Sequence, residues 1–267
     1  MPLTLLLGFT VGIILALTGA GGGILAVPLL VFGAGLSMAQ AGPIGLLAVG
    51  LAATLGAIMG LKAGTVRYKA ALLVAGAGIV CSPLGLWLAQ RSPNRPLTML
   101  FSGVLLWVAY RTYQRSVAAP ADMSAHEQRP PPPCQLDQQR GKLRWTAPCA
   151  RALALSGVVA GALSGLLGVG GGFVMVPALQ RYTDLSTQSI VATSLAVIAL
   201  VSVSGVAASA VSGHLQWAIA IPFSAGALVG MTSGRLVAAK LSGPLLQQAF
   251  AGVSALVAIA LFIKAVG

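Results

Sequence analysis

Asp122, Glu127, Asp137 and Asp184 are the four acidic residues of this 267-residue chain, and none lies inside its long apolar runs. So few carboxylates cannot dress a water-facing surface. Soluble domains carry about 25% charged residues; this chain carries 7%, against 57% hydrophobic. The chain reads as an integral membrane protein.

Eight apolar segments follow one another: Leu3–Phe32, Ala41–Leu61, Ala70–Ala89, Leu97–Tyr113, Ala150–Leu179, Ile190–Ser212, Trp217–Ala238 and Leu245–Ala265. Most have the ~20 residues that a bilayer-spanning helix needs. The first and fifth are too long for one simple span, and each carries a glycine cluster. The net charge of +12 resides in the loops between these runs. That is the placement the positive-inside rule expects, and it argues against nucleic acid as a partner. Cys81, Cys134 and Cys149 form no CxxC pair, and their odd number fits no disulfide framework or zinc site. They are expected to be ordinary free thiols.

The glycine clusters belong to an internal repeat. At an offset of 149 residues, "GAGGGILAVPLLV" (19–31) falls on "GVGGGFVMVPALQ" (168–180), with seven of thirteen positions identical. The register persists without a gap. Ser37 meets Ser186, Gly56 meets Gly205, Tyr68 meets Trp217, Gly85 meets Gly234 and Phe101 meets Phe250. Residues 1–113 and 150–267 are therefore two transmembrane repeats. They are joined by a polar linker, 114–149, containing "RPPPPCQLDQQRGKLRW". Four consecutive prolines favour extended polyproline geometry. Leu3–Leu17 resembles the apolar part of a signal peptide, but no Lys or Arg precedes it and its twin lies in mid-chain. It is expected to be structural. Glycines spaced by four, such as Gly56, Gly60 and Gly64, or Gly157, Gly161 and Gly165, are stripes that let membrane helices approach closely.

Two topologies fit. If the first and fifth segments each cross once, there are eight crossings and the repeats are parallel. If each glycine cluster turns its segment into a hairpin, every repeat crosses an odd number of times and the halves are inverted. In both, the Lys62–Lys69 loop and the basic linker share one side, which the charge bias makes cytoplasmic. Inverted repeats around broken helices are a recurrent transporter plan, and we expect that arrangement.

No catalytic site assembles from the apolar runs. His126 lies in the linker and His214 in a loop, so a positioned base, a metal cluster and an intramembrane carboxylate relay are all lacking. No cofactor is expected. The glycines themselves remain. A helix that begins inside the membrane points bare N–H groups and a positive dipole end into the gap, which suits an anion. Pro28 and Pro177, one turn into each resumed helix, are compatible with that geometry. The plainer alternative is a packing hinge, since Gly19/Gly23 and Gly168/Gly172 also satisfy GxxxG. Thr18, Ser164, Thr193 and Ser194 could add hydroxyl donors, although such side chains more often bond their own backbone. Arg235 reads as a snorkelling arginine or an anion contact. Arg67 and Lys69 beside Tyr68 read as interfacial anchors.

The duplicated "GxGGGxxxVP" motifs, followed by "GTVRY" (64–68) and "GHLQW" (213–217), resemble the sulfite exporter TauE/SafE family of membrane permeases. The resemblance implies transport of small anions, sulfite and sulfonates among them, across a bacterial inner membrane. It places the motif on Gly19, Gly21, Gly22, Gly23 and Pro28, and on Gly168, Gly170, Gly171, Gly172 and Pro177. One departure is plain: "ATSLA" at 192–196 faces "PIGLL" at 43–47, so those hydroxyls are one-sided. The expectation is an all-α, multi-pass permease using alternating access at the paired motifs. A passive anion channel and a non-transporting scaffold are its rivals.

Overall fold

The computed structural model describes residues 2–19, 21–118, 133–134, 136–137, 142–143, 146–211, 215–241 and 244–266. Ten helices account for nearly all of them. The first half holds α1 (Pro2–Thr18), α2 (Gly21–Gly33), α3 (Met38–Lys62), α4 (Tyr68–Arg91) and α5 (Asn94–Ala118). The second holds α6 (Ala147–Leu167), α7 (Gly172–Tyr182), α8 (Thr187–Val211), α9 (Trp217–Leu241) and α10 (Pro244–Val266). Within the linker, β1 (Leu136–Asp137) pairs antiparallel with β2 (Lys142–Leu143). His126, His214 and most of the four-proline run lie outside the described residues.

Local chemistry sets the ends. Ser37 caps α3 in a capping box: its Oγ accepts from Gln40 N–H, and the Gln40 side chain accepts from Ser37 N–H. Thr146 caps α6 by accepting from Cys149 N–H. Gly168 ends α6 in the left-handed region (φ +69°), which disfavours any residue with a Cβ. Six helices are long and apolar enough to cross a membrane: α3, α4, α6, α8, residues 217–236 of α9 and 248–265 of α10. Leu72, Val80, Leu84, Leu155, Leu236 and Leu256 point outward. That apolar exterior suits lipid rather than water.

The packing repeats at the sequence offset. Gly8 of α1 meets the Phe223 carbonyl of α9, and Gly157 of α6 meets the Val74 carbonyl of α4. Gly12 meets Ala227, and Gly161 meets Gly78; Gly22 meets Val11, and Gly171 meets Ala160. Each partner of a pair lies 149 residues from its counterpart. None of these glycines has room for a methyl group. The stripes thus let α1 pack on α9 and α4 on α6 at backbone contact, as small residues do in membranes.

Direction also follows from contacts. Gly33 touches Leu7 while Gly22 touches Val11 and Leu15, so α2 runs back along α1. The matching helices α3 and α8 run antiparallel, since Leu46 meets Gly205, Gly50 meets Ser202, and Gly56 meets Leu195. At one end of the bundle the Thr193 hydroxyl accepts from Arg67 N–H (3.1 Å), and Arg235 Nη1 donates to the Gly56 carbonyl (3.3 Å). At the other, Met38 N–H donates to Asn94 Oδ1 (3.1 Å), and the Lys264 ammonium stands 5.2 Å from the Phe32 ring centre.

One expectation is corrected. Cys134 and Cys149 are not free thiols; they form a disulfide across 15 residues, while Cys81 is free. Spacing could not reveal this, because the tertiary path of the linker makes the pair. Cys134 N–H donates to the Tyr182 carbonyl at the end of α7, and Thr146 Oγ1 donates to the Pro133 carbonyl. The linker thereby stitches the start of α6 to the end of α7. Those two helices also form a hairpin.

Candidate functional site

The two glycine motifs sit at the tips of the α1–α2 and α6–α7 hairpins, and the tips meet in the interior. Gly23 lies against the backbone carbonyl of Val169, at a separation that excludes a Cβ. Gly168 lies against Gly42 of α3 with equally little space. Gly19 (φ +73°), Gly170 (φ +75°) and Gly171 (φ +68°) are left-handed, so the chain reverses there with glycine's freedom. Gly21 and Gly172 are the first residues of α2 and α7.

A cavity of about 690 Å³ opens beside these tips. Its walls include Thr18 at the end of α1, Ile24 in the first turn of α2, and Phe173 and Val174 in the first turn of α7. Pro177, Gln180, Arg181 and Tyr182 continue the α7 wall; α5 contributes Trp107, Arg111 and Thr112. The cavity therefore lies at the end of the bundle where the linker attaches. At the other end a pocket of about 80 Å³ is lined by Val31, Leu36, Met38, Asn94, Arg95, Thr98, Lys264 and Ala265. Val31 and Met38 stand 149 positions before Gln180 and Thr187, which line the large cavity. Equivalent places in the two halves are thus wide at one end and nearly closed at the other.

A family model for the sulfite exporter TauE/SafE matches residues 4–261. The chain belongs to the TauE/SafE family. Two proteins of Xylella fastidiosa, each named a probable membrane transporter protein, are similar to it. One, from strain 9a5c, is 29% identical over 237 residues, 88% of this chain and 84% of the relative. The other, from strain Temecula1, is 28% identical over the same shares. A Bacillus subtilis protein named probable membrane transporter protein YunE is 26% identical over 248 residues, 88% of this chain and 87% of its own. No solved structure matches the chain. This TauE/SafE chain is a multi-pass membrane protein, and its family and relatives are named as transporters.

In this TauE/SafE chain the expected site residues separate into groups. Thr18 and Pro177 line the cavity; the glycines support it from behind, at the hairpin turns. Pro28 is buried in α2. Thr18 donates to the Ile14 carbonyl (2.7 Å), a back-bond within its own helix. Thr193 braces the Arg67 backbone, and Ser194 Oγ donates to the Val191 carbonyl (2.9 Å) and to the Gly19 carbonyl (3.4 Å). Ser164 is fully buried, and its Oγ has no hydrogen-bond partner among the described residues. Arg235 is part-buried and bonded to Gly56, away from the cavity walls. Sequence reasoning missed Arg111 and Arg181 as cavity residues. The signal was present for Arg181, four residues beyond Pro177, but only the fold brings α5 alongside it. Among the described residues no group of three His, Cys, Asp or Glu could hold a metal ion.

Proposed function

We propose that this TauE/SafE protein is a permease of the bacterial inner membrane, moving a small, sulfur-containing anion such as sulfite or a sulfonate by alternating access. One observation carries the reading: a single cavity touches the first turns of both α2 and α7 and opens at one end of the bundle. Val174 N–H is already taken by the Gly171 carbonyl (3.1 Å), so the attraction rests on the Phe173 N–H and on the positive dipole ends of two helix starts side by side, which favour negative charge without any charged side chain. Gly19, Gly21, Gly22, Gly23, Gly168, Gly170, Gly171 and Gly172 shape the two turns in this reading, Pro28 and Pro177 stiffen the helices behind them, and Ser164 offers an interior hydroxyl.

The antiparallel course of α3 and α8 supports halves inverted across the bilayer. The linker end, rich in Lys and Arg, is then cytoplasmic, a reducing compartment in which the Cys134–Cys149 bond is open to reduction, and the open cavity faces the cytoplasm. The small equivalent pocket at the far end is its closed counterpart. A continuous channel would need both ends open at once, so the unequal cavities favour a carrier. Purified protein in proteoliposomes, given labelled sulfite, methanesulfonate or phosphate, should show saturable flux of a sulfur oxyanion. Flux that rises without saturation would identify a channel. A folded protein that moves no anion would overturn the proposal.

A further inference from the structure

Three serines beside the second hairpin turn are buried without a hydrogen bond. Ser82 of α4, Ser164 of α6 and Ser202 of α8 are 0%, 0% and 2% exposed, and their hydroxyls have no partner among the described residues. Serines in membrane helices ordinarily bond a carbonyl of their own helix. An unbonded hydroxyl in a dry interior is costly. The internal repeat shows that packing does not require these three. Their counterparts 149 positions away are Met231, Leu15 and Ala53, all buried and apolar. Met231 packs its terminal methyl against Gly56, whereas Ser82 presents a hydroxyl to the equivalent Gly205. The polar set therefore belongs to one hairpin alone.

The hydroxyls converge with a backbone oxygen. A Cβ on Gly170 would stand 3.6 Å from Ser202 Oγ, and one on Gly50 would stand 3.2 Å from it. A Cβ on Gly205 would stand 3.2 Å from Ser82 Oγ, and Gly205 also meets Leu46. The Gly168 carbonyl faces Gly45, where a Cβ would be 3.2 Å away. That carbonyl accepts no hydrogen bond among the described residues. Ser164 lies one turn earlier, and its own carbonyl accepts from Gly168 N–H (2.9 Å). These oxygens thus gather between the Gly45–Gly50 stretch of α3 and the turn that joins α6 to α7. Carbonyls only accept, and hydroxyls offer lone pairs. Such oxygens at a broken helix are the usual ligands of a coupling cation in transporters. Divalent ions call for carboxylates, and α3, α4, α6, α7 and α8 contain no Asp or Glu.

Building on the proposed permease function, we propose that Ser82, Ser164, Ser202 and the Gly168 carbonyl hold a dehydrated sodium ion, the coupling ion of transport. The negative dipole end of α6 favours the cation, and the start of α7, four residues beyond Gly168, favours the anion. The bound ion offsets the charge of the anion at hairpin tips that carry no Lys or Arg.

The test measures the ion directly. Full-length protein in nanodiscs, free of sulfur oxyanions, is titrated with sodium, potassium or choline chloride at constant ionic strength. Thermal unfolding and radiosodium binding are the readouts. Sodium should stabilise saturably, with one ion bound per chain, and potassium and choline should not. Ser82→Ala and Ser202→Ala should each weaken sodium binding about tenfold or more, the scale of losing a group that serves a metal site. In choline neither variant should melt below the parent, because an unpaired hydroxyl has been removed. Equal stabilisation by the three salts overturns the inference. So does a stability loss in choline, which would mark a packing role, or sodium binding that both variants retain. Saturable sulfite flux in proteoliposomes without sodium binding also overturns it and leaves the permease reading intact. Sodium binding by a protein that moves no anion would instead remove the permease reading and keep this site.

Discussion

Gly23 of α2 packs against the carbonyl of Val169, the residue between the first two glycines of the second motif. This contact joins the tips of the two hairpins. It leaves no place for a side chain at residue 23, so the glycine is required by its neighbour in space.

Substitutions should sort glycines by their surroundings. Gly171→Ala places a Cβ against the Ala160 carbonyl at a left-handed φ of +68°. We expect it to cost about 2–3 kcal/mol of stability. Gly103→Ala meets nothing within 4 Å inside α5. It should be neutral or gain up to about 1 kcal/mol from helix propensity. Thermal unfolding of the two variants in one detergent compares the signs; equal losses would contradict the packing argument.

The disulfide should stabilise the α6–α7 hairpin. Cys134 and Cys149 are 15 positions apart in sequence, for which loop-closure entropy gives up to about 3 kcal/mol. Reduction, or the double substitution Cys134→Ser with Cys149→Ser, should lower stability by up to that amount, read as a fall in the melting temperature. Exchange of α7 amide protons should accelerate while that of α3 holds. A reductant-insensitive melting curve would count against the bond.

Thr193 should behave as a brace. Thr193→Val removes the acceptor for the part-buried Arg67 N–H, a loss of about 1 kcal/mol. Stability should fall while the apparent KM for the transported anion stays constant. A raised KM at unchanged stability would return Thr193 to the substrate site.

Access should be one-sided. In Thr18→Cys the new thiol lines the large cavity and should react with a membrane-impermeant maleimide added from the linker side, with substrate protecting it. In Thr98→Cys the thiol lines the small pocket, where residue 98 is 6% exposed, and should react slowly from the opposite side. Equal labelling rates would mean that both ends are open.

Much was legible in the residues alone. The scarcity of carboxylates forced the chain into a membrane, because lipid-facing surface needs none and water-facing surface does. The offset of 149 aligned Gly22 with Gly171 and Gly56 with Gly205, and the motif pointed to the TauE/SafE family. Charge counting could not choose between one crossing and a hairpin at Gly19, since both put the basic linker on the same side. Tertiary contacts bear on that: Leu7 on Gly33 sets α2 back along α1, and Leu46 on Gly205 sets α3 against α8. The disulfide and the cavity escaped for the same reason. Cys134 reaches Cys149, and Arg111 shares a wall with Arg181, because helices from separate parts of the chain converge. Sequence periodicity reports which face of a helix is apolar; which helix that face meets is settled by packing of the whole bundle.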